Sequence, residues 1–462
     1  MALLDDEMSR LRERLQRLEE ERASLAGHYE RLKAILSPLR RMPAELLGEI
    51  FSWTLPPDAE ALRRGGRLKL KDSPLVLTWT SSRWRAVAVS TPSLWTLVYI
   101  NYPDHAPPLS AVETQIQRAG PLKIHFFPSD ETSDFRPQLE MFQLLAKHSL
   151  GWEELHLGVI HAMLPLLSTL RNRVPILRRI SLRWQDLHPL ESVDCFLLYL
   201  IEFFSKHAYV TPTLPPHQIP FPAHQLTRYS ADGPLQAHMH ILQAAKNLTE
   251  AWIFVFPGNT TARFETQNLP SLTRLGSSDG EILDYLRLPA LQEISLSAHK
   301  SFVGGQDILV RLQSLLDRSS SPLRSLCLDG SFIPRAATPF LHACTSITEL
   351  RILTGPYPVF SPWLLELSRP GSTMVAPHIR SIVFGCRIRD LDSEYLRMLK
   401  SRWKAPGSEL VAASLLIPGV KGPPDAASLS ALDALRQDGL DVLLLYGQEA
   451  ADALSPWNVG IY

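Results

Sequence analysis

Apolar residues recur in two different rhythms along this chain, and the change of rhythm divides it. Over residues 2 to 36 they fall in alternating steps of four and three: Leu4, Met8, Leu11, Leu15, Leu18, Leu25, Tyr29, Leu32 and Leu36, with Arg22 taking the one charged turn of the series. That 3.5-residue period predicts a single helix with a coiled-coil-like seam. The remaining faces carry Arg and Glu that can pair at i,i+4. Such a helix either self-associates or stands as a leader, solvated or docked on its own chain.

Residues 38 to 100 read as a run of short helices. Ser37-Pro38 ends the first helix, because proline cannot continue the ladder. Met42-Pro43 opens the next, and Leu46, Leu47, Ile50, Phe51 and Leu55 form its apolar stripe before Pro56-Pro57 stops it. Residues 57 to 72 are a charged connector. Ser73-Pro74 then predicts one helix carrying Leu75, Val76, Trp79, Arg83, Trp84, Val87 and Ala88, broken at Thr91-Pro92 and followed by a strand over Leu97 to Ile100. A module of about 60 residues seldom buries enough apolar surface by itself. The stripe therefore asks for a partner, and a helix laid in a groove is a common solution.

From about residue 150 a different unit repeats, a short strand of the form L-x-x-L-x-L followed by loop or helical residues. Leu155-x-Leu157, Leu177 to Leu182, Leu226 to Tyr229, Leu248 to Ile253, Leu272 to Leu275, Leu291 to Leu296, Leu323 to Leu328, Ile347 to Ile352 and Ile379 to Phe384 are its instances. From Tyr229 onward they recur at roughly 20 to 30 residues, the spacing of leucine-rich repeats. The wider interval from Ile180 to Tyr229 predicts two units. Each unit has an apolar face it cannot bury alone, and stacking the strands in parallel makes one continuous core. The asparagine of regular repeats is missing, which predicts an irregular solenoid. A helix over about Ala426 to Gln437 and a last strand over Val442 to Leu445 are expected to close the array.

Composition narrows the function. Lys plus Arg and Asp plus Glu both number 47, so no broad field favours nucleic acid or an anionic membrane. The cysteines Cys195, Cys327, Cys344 and Cys386 form no CxxC pair, which predicts neither a disulfide framework nor a zinc site and favours a reducing compartment. The acidic start and the absence of a long apolar run predict a soluble intracellular protein without signal peptide or membrane span. The sequons at Asn247 and Asn259 are then chance matches.

The segment from Leu39 to Ile100 resembles an F-box. Leu39-Arg-Arg-Met-Pro-Ala-Glu-Leu-Leu-Gly-Glu-Ile-Phe51 is similar to the family's opening LPxELLxxIF helix. Ser82-Arg-Trp-Arg-Ala-Val-Ala88 is similar to its RxWRxVA helix, and Thr91-Pro-Ser-Leu-Trp95 to the TPxLW continuation of a large fungal F-box group. Met42 stands where the family usually has Leu, and Thr80-Ser81 where it has Val-Cys. Members often carry an N-terminal coiled-coil-like helix and a repeat-like C-terminal region. The resemblance implies docking on a Skp-type adaptor that leads to a cullin–RING ubiquitin ligase. Pro43, Leu46, Leu47, Ile50, Phe51, Trp84 and Val87 would form or shape the adaptor surface, and the repeat face would hold a target protein that the sequence does not specify.

Catalytic readings rest on less. Gly276-Ser-Ser-Asp-Gly280 matches G-x-S-x-G between a strand and a helix, but a Ser/Gly loop between repeat elements explains the same residues, and nothing marks a triad acid or selects among His299, His342 and His378. No phosphate loop or dinucleotide fingerprint appears. His238-Met-His240 lacks further ligands nearby and reads as strand or loop surface. Trp252 to Phe256 reads as a buried strand.

The expected fold class is therefore α/β: a helix over 1–37, a small all-α F-box-like module over 38–100, an irregular leucine-rich-repeat-like solenoid over 101–404 and a capping segment over 405–462. The expected function is a non-catalytic substrate receptor without cofactor or metal. A repeat-type scaffold with no ligase role is the alternative.

Overall fold

The computed structural model describes residues 2–36, 42–55, 74–102, 106–129, 134–170, 173–184, 223–255, 263–297, 305–329, 331–353, 361–369, 374–385, 393–418 and 426–454. The chain divides into two compact units, Met1–Pro57 with Lys69–Trp95, and Asp58–Leu68 with Thr96–Tyr462.

The first unit is helical. Helix α1 spans Ala2–Leu36 without interruption, as the 3.5-residue period predicts. Helix α2 (Ala44–Thr54) begins on Pro43, whose carbonyl accepts the Leu47 N–H at 3.1 Å. The helix expected after Ser73 is broken in two. A 3-10 turn over Pro74–Val76 leads into α3 (Leu77–Thr80), Ser81 is fully extended at φ −160°, and α4 runs Ser82–Val89. Ser81 causes the break: its hydroxyl accepts the Trp84 N–H at 3.1 Å, an N-cap that opens a new helix. A 3-10 turn over Pro92–Trp95 closes the unit, with the Trp95 indole N–H donating to the Ala88 carbonyl at 2.7 Å.

The second unit is α/β, built on one parallel sheet of 13 strands. The strands are β1 (Leu97–Asn101), β2 (Leu122–Phe127), β3 (Trp152–Val159), β4 (Arg179–Trp184), β5 (Arg228–Gly233), β6 (Glu250–Val255), β7 (Arg274–Ser277), β8 (Glu293–Leu296), β9 (Ser325–Asp329), β10 (Glu349–Leu353), β11 (Ser381–Gly385), β12 (Ala412–Ile417) and β13 (Asp441–Tyr446). Each pairs in parallel with the next in chain order. The order never reverses, so right-handed crossovers bring the connecting helices to one face. These helices are α5 (Leu109–Arg118), α6 (Arg136–Lys147), α7 (Leu164–Ser168), α8 (Leu235–Ala244), α9 (Gln306–Ser319), α10 (Pro334–Ala343), α11 (Ser361–Leu367), α12 (Ser393–Arg402) and α13 (Ala426–Gln437). A last helix, α14 (Gly447–Leu454), follows β13.

Register places one apolar side chain per strand in a continuous rung: Val98, Ile124, Leu155, Ile180, Tyr229, Ala251, Leu275, Ile294, Leu326, Leu350, Ile382, Ala413 and Val442. All are buried, in one core that also takes Phe142 and Leu145 of α6, Leu242 of α8, Leu312 of α9, Leu364 of α11 and Met398 of α12. Two units do not fit between Ile180 and Tyr229: residues 185–222 lie outside the described residues, but β4 pairs directly with β5, with Ile180 opposite Tyr229. No strand of this sheet separates them.

At the second position of the unit, where each strand begins, threonine ties successive units. Thr227 Oγ1 donates to the Arg178 carbonyl at 3.2 Å, Thr249 Oγ1 to that of Thr227 at 3.0 Å, and Thr273 Oγ1 to that of Thr249 at 3.1 Å. At the far end Arg402 is fully buried and donates from Nη1 to the Val375 carbonyl and from Nη2 to the Ala376 carbonyl, both at 2.9 Å. Burial pushes its guanidinium down to about 10.

Leu350 is 0% exposed at the middle of a rung flanked by β9 and β11. Leu350→Ala should lower the unfolding free energy by about 2–5 kcal/mol. The check is the urea midpoint followed by circular dichroism, and an unchanged midpoint would contradict the packing described.

Candidate functional site

Helix α2 is apolar on two sides, and the two sides do different jobs. Leu47 and Phe51 point inward and are 0% exposed, with Gly48 buried beside them. A Cβ on Gly48 would stand 3.3 Å from Thr91 Oγ1, so the helix packs closely there. The Phe51 ring sits 4.8 Å from the Trp84 ring at a 53° tilt. Val87, Ala88, Leu94 and Trp95 complete this small core. Of the residues that the F-box resemblance singles out, Leu47, Phe51 and Val87 therefore build the unit itself, while Trp84 is half-buried against them.

Pro43, Leu46 and Ile50 lie on the other side. Pro43 is exposed, Leu46 is 57% exposed and Ile50 is half-buried. Trp53, 77% exposed, extends this stripe. Leu46, Ile50 and Trp53 stand at i, i+4 and i+7, one face of a helix. Reading the sequence stripe as a single set missed Trp53, because its register with Leu46 shows only once the inward face is known. Trp79 at the end of α3 is also exposed. Exposed apolar side chains gathered on short helices in this way make the α2 stripe a candidate contact face.

The second candidate is the sheet face away from the helices. The register aligns a row of charges: Lys123, Glu154, Arg179, Arg228, Glu250, Arg274 and Glu293. They neutralise one another across the strands. Arg228 Nη2 lies 3.2 Å from Glu250 Oε1, Arg274 Nη1 lies 3.5 Å from the same oxygen, and Arg274 Nε reaches Glu293 Oε2 at 2.9 Å. Two residues further along each strand, Tyr99, His125, His156, Ser181, Ser230, Trp252 and Gly276 align. The Trp252 indole lies across Gly276, where a Cβ would come within 1.9 Å of Trp252 Cε3. Trp252 and Phe254 thus face this side half-buried, while Ile253 and Val255 enter the core; Phe256 lies outside the described residues, and the rest of the aromatic run is only partly interior.

At the β9–β13 end the same face still carries the Glu349–Arg351 pair at 2.9 Å, but part of it is apolar and covered. Cys327, Leu353, Val383 and Leu416 pack under Ala450 and Leu454 of α14. Gly385 makes room, since a Cβ there would come within 2.5 Å of Leu454 Cδ2.

One polar cluster on this face is buried. Glu154 Oε1 lies 2.7 Å from His156 Nε2 and 3.7 Å from His125 Nε2, while Arg179 Nη1 holds Oε2 at 3.0 Å. Burial opposes the Glu154 charge, but the nearby His125 ring and the hydrogen bond with His156 hold its carboxyl well below the usual carboxylate range. The three donors lie within 4.8 Å of one another, a spacing that suits a zinc-class cation. Arg179 already balances the carboxylate charge. The sequence reading missed it: Glu154 and His156 are two apart on β3, but only the β2–β3 register brings His125 beside them.

The residues weighed for other chemistry have structural partners. Ser278 Oγ accepts the Val255 N–H at 3.1 Å, and Ser277 Oγ donates to the Asp279 carbonyl at 2.8 Å. His238 is not on a strand or loop surface: it is buried on α8, 2.8 Å from the Tyr229 hydroxyl through Nδ1 and 3.2 Å from the Phe254 carbonyl through Nε2. His299 lies outside the described residues. No described helix is long and apolar enough to cross a membrane. No model of a known protein family matches the chain, and no curated protein shows significant similarity to it.

Glu154→Gln should destabilise the protein by about 1–3 kcal/mol at pH 7, the cost of an unsatisfied buried network. The folded-state pKa is depressed, so the charge's contribution is full above the unfolded value of about 4.3 and shrinks as pH falls below it. Urea midpoints of wild type and variant should therefore converge on acidification; a gap that stays constant would contradict this account.

Proposed function

We propose that this chain is the substrate-recognition subunit of a Skp–cullin–F-box ubiquitin ligase, binding a Skp-type adaptor through its first unit and a target protein through the second. The observation that carries the reading is the outer stripe of α2. Pro43, Leu46, Ile50 and Trp53 are not needed for the unit's own core, yet they form a continuous apolar face. They lie inside the segment that resembles an F-box, where the family's adaptor contact would fall. Leu47, Phe51, Trp84 and Val87 then serve the adaptor surface by holding that stripe in shape. Ser81, which departs from the family's Val-Cys, has a local role as the cap of α4.

The second unit supports the rest. Thirteen parallel strands in chain order with helices between them are what a leucine-rich-repeat-like solenoid requires. The sheet face opposite the connecting helices is the surface offered to a target, with α14 covering part of the β9–β13 end and the charged row over β2 to β8 left for contact. Catalysis would belong to the ligase. The receptor raises the effective concentration of a target lysine near the charged conjugating enzyme and makes no bond itself.

The test is co-purification of the full chain with a Skp-type adaptor. Wild type should bind, and Leu46→Asp with Ile50→Asp should weaken binding at least about 100-fold, because each aliphatic side chain contributes about 1.5–3 kcal/mol when buried and 1.4 kcal/mol is tenfold. Phe51→Ala is the control for folding, since it opens the unit's own core. If wild type does not bind the adaptor while remaining folded, the chain is a repeat-type scaffold outside the ligase.

A further inference from the structure

Helix α1 is 35 residues long and carries its apolar seam in the open. Met8 is 47% exposed, Leu11 60%, Leu15 58%, Leu18 55%, Leu25 62% and Tyr29 65%. Placed in a heptad, Leu4, Leu11, Leu18, Leu25 and Leu32 all take position d, and Met8, Leu15, Arg22, Tyr29 and Leu36 take position a. A strict seven-residue repeat differs from the 3.6-residue period of a helix docked flat on a globular core, and it suits a seam that winds around another such seam. The d positions are all leucine, and the seam carries a single polar residue, Arg22, at an a position, a device that fixes register and oligomer state in coiled coils.

The flanking charges decide what the other strand is. Position g holds Glu7, Arg14 and Glu21, and position e holds Arg12 and Glu19. In a parallel pair each g residue faces the e residue five positions later on the other strand. Glu7 then meets Arg12 of a second copy, and Arg14 meets Glu19, twice over by symmetry. Arg22 at its a position falls beside Glu21 of the second copy, so the one charged layer has a counter-ion and pins the register. All five of these e and g residues, and Arg22, are exposed in the single chain. The fully overlapping antiparallel arrangement does the opposite: it sets Glu21 against Glu21 and Glu19 against Glu19.

We infer that α1 is the dimerisation element of this protein, pairing in parallel and in register with α1 of a second copy. This does not depend on the adaptor reading. A receptor assembled in this way would present two adaptor-binding units and two target faces, which converts two weak grips on a multivalent target into one strong one.

The experiment is sedimentation velocity of the full chain across a concentration series. Wild type should run at twice the chain mass, and Leu11→Glu with Leu18→Glu at the monomer mass while still capturing the Skp-type adaptor. Retained capture separates a failure here from a failure of the ligase reading. Charge reversal supplies the register test. Glu7→Arg with Arg14→Glu should weaken the dimer, as should Arg12→Glu with Glu19→Arg, and mixing the two variants should restore it as a heterodimer. A wild-type monomer at tens of micromolar, a higher oligomer, or indifference to the charge reversals would overturn the inference.

Discussion

The second unit depends on one constraint: every strand places the same side-chain row on the same side, in register with its neighbours. The rung from Val98 to Val442 is the visible form of that constraint. Side chains alternate along a strand, so a slip of one residue would turn the buried row outward and bring the charged row from Lys123 to Glu293 into the core. The cost would be several buried charges at once. Register is thus held from both faces, and the threonine ties at the strand entries hold it from a third direction.

The same alternation creates the free face. Once the aliphatic row is committed to the helices, what lies between those residues must face the other way. There the sequence places glutamate and arginine on neighbouring strands, and the Arg228, Glu250, Arg274, Glu293 run is paired through. Such pairs add little stability when exposed. Their consequence is to keep the face polar and discourage sheet-to-sheet association. Toward β9–β13 an apolar cluster interrupts the polar face, and there the chain covers it with its own α14. The distribution leaves the polar two-thirds of the sheet as the surface on which a specific partner would have to satisfy charges as well as shape.

Much of this was legible in the residues. Leucine spacing marks nine of the strands, because a buried parallel strand needs two aliphatic residues on one side and the spacing shows it. Strand β2 (Leu122–Phe127) and strand β12 (Ala412–Ile417) were not marked: Lys123-Ile-His-Phe-Phe127 and Ala412-Ala-Ser-Leu-Leu416 bury the same rung with other residues. The break at Ser81 was hidden because Ser73-Pro74 and the apolar spacing up to Ala88 fit one helix equally well, and only the Ser81 hydroxyl's bond to Trp84 decides. The buried His125, Glu154, His156 group could not be read at all, since its members meet through strand pairing across a helix and a turn. In the first unit the apolar stripe was visible but undivided, and Phe51 and Leu46 looked alike until one proved interior and the other exterior.

That division of α2 separates folding from assembly within a single helix. The second unit buries its aliphatic rungs under its own helices and a smaller cluster under α14, leaving single aliphatic residues such as Leu150, Val310 and Val411 scattered at its surface. The first unit differs. After Leu47, Phe51, Val87 and Trp95 have been buried, Leu46, Trp53 and Trp79 on its short helices and the d-position leucines from Leu11 to Leu25 on α1 still face water. Each would contribute about 1.5–3 kcal/mol on burial, so leaving them out forgoes more stability than a small module can easily spare. Two separate apolar faces, one flat and carrying tryptophan, the other a heptad seam flanked by alternating charge, are complementary to two different kinds of surface. The seam is self-complementary and suits a second copy, whereas the α2 stripe has no such symmetry and, under the proposed function, would take a different protein with a groove.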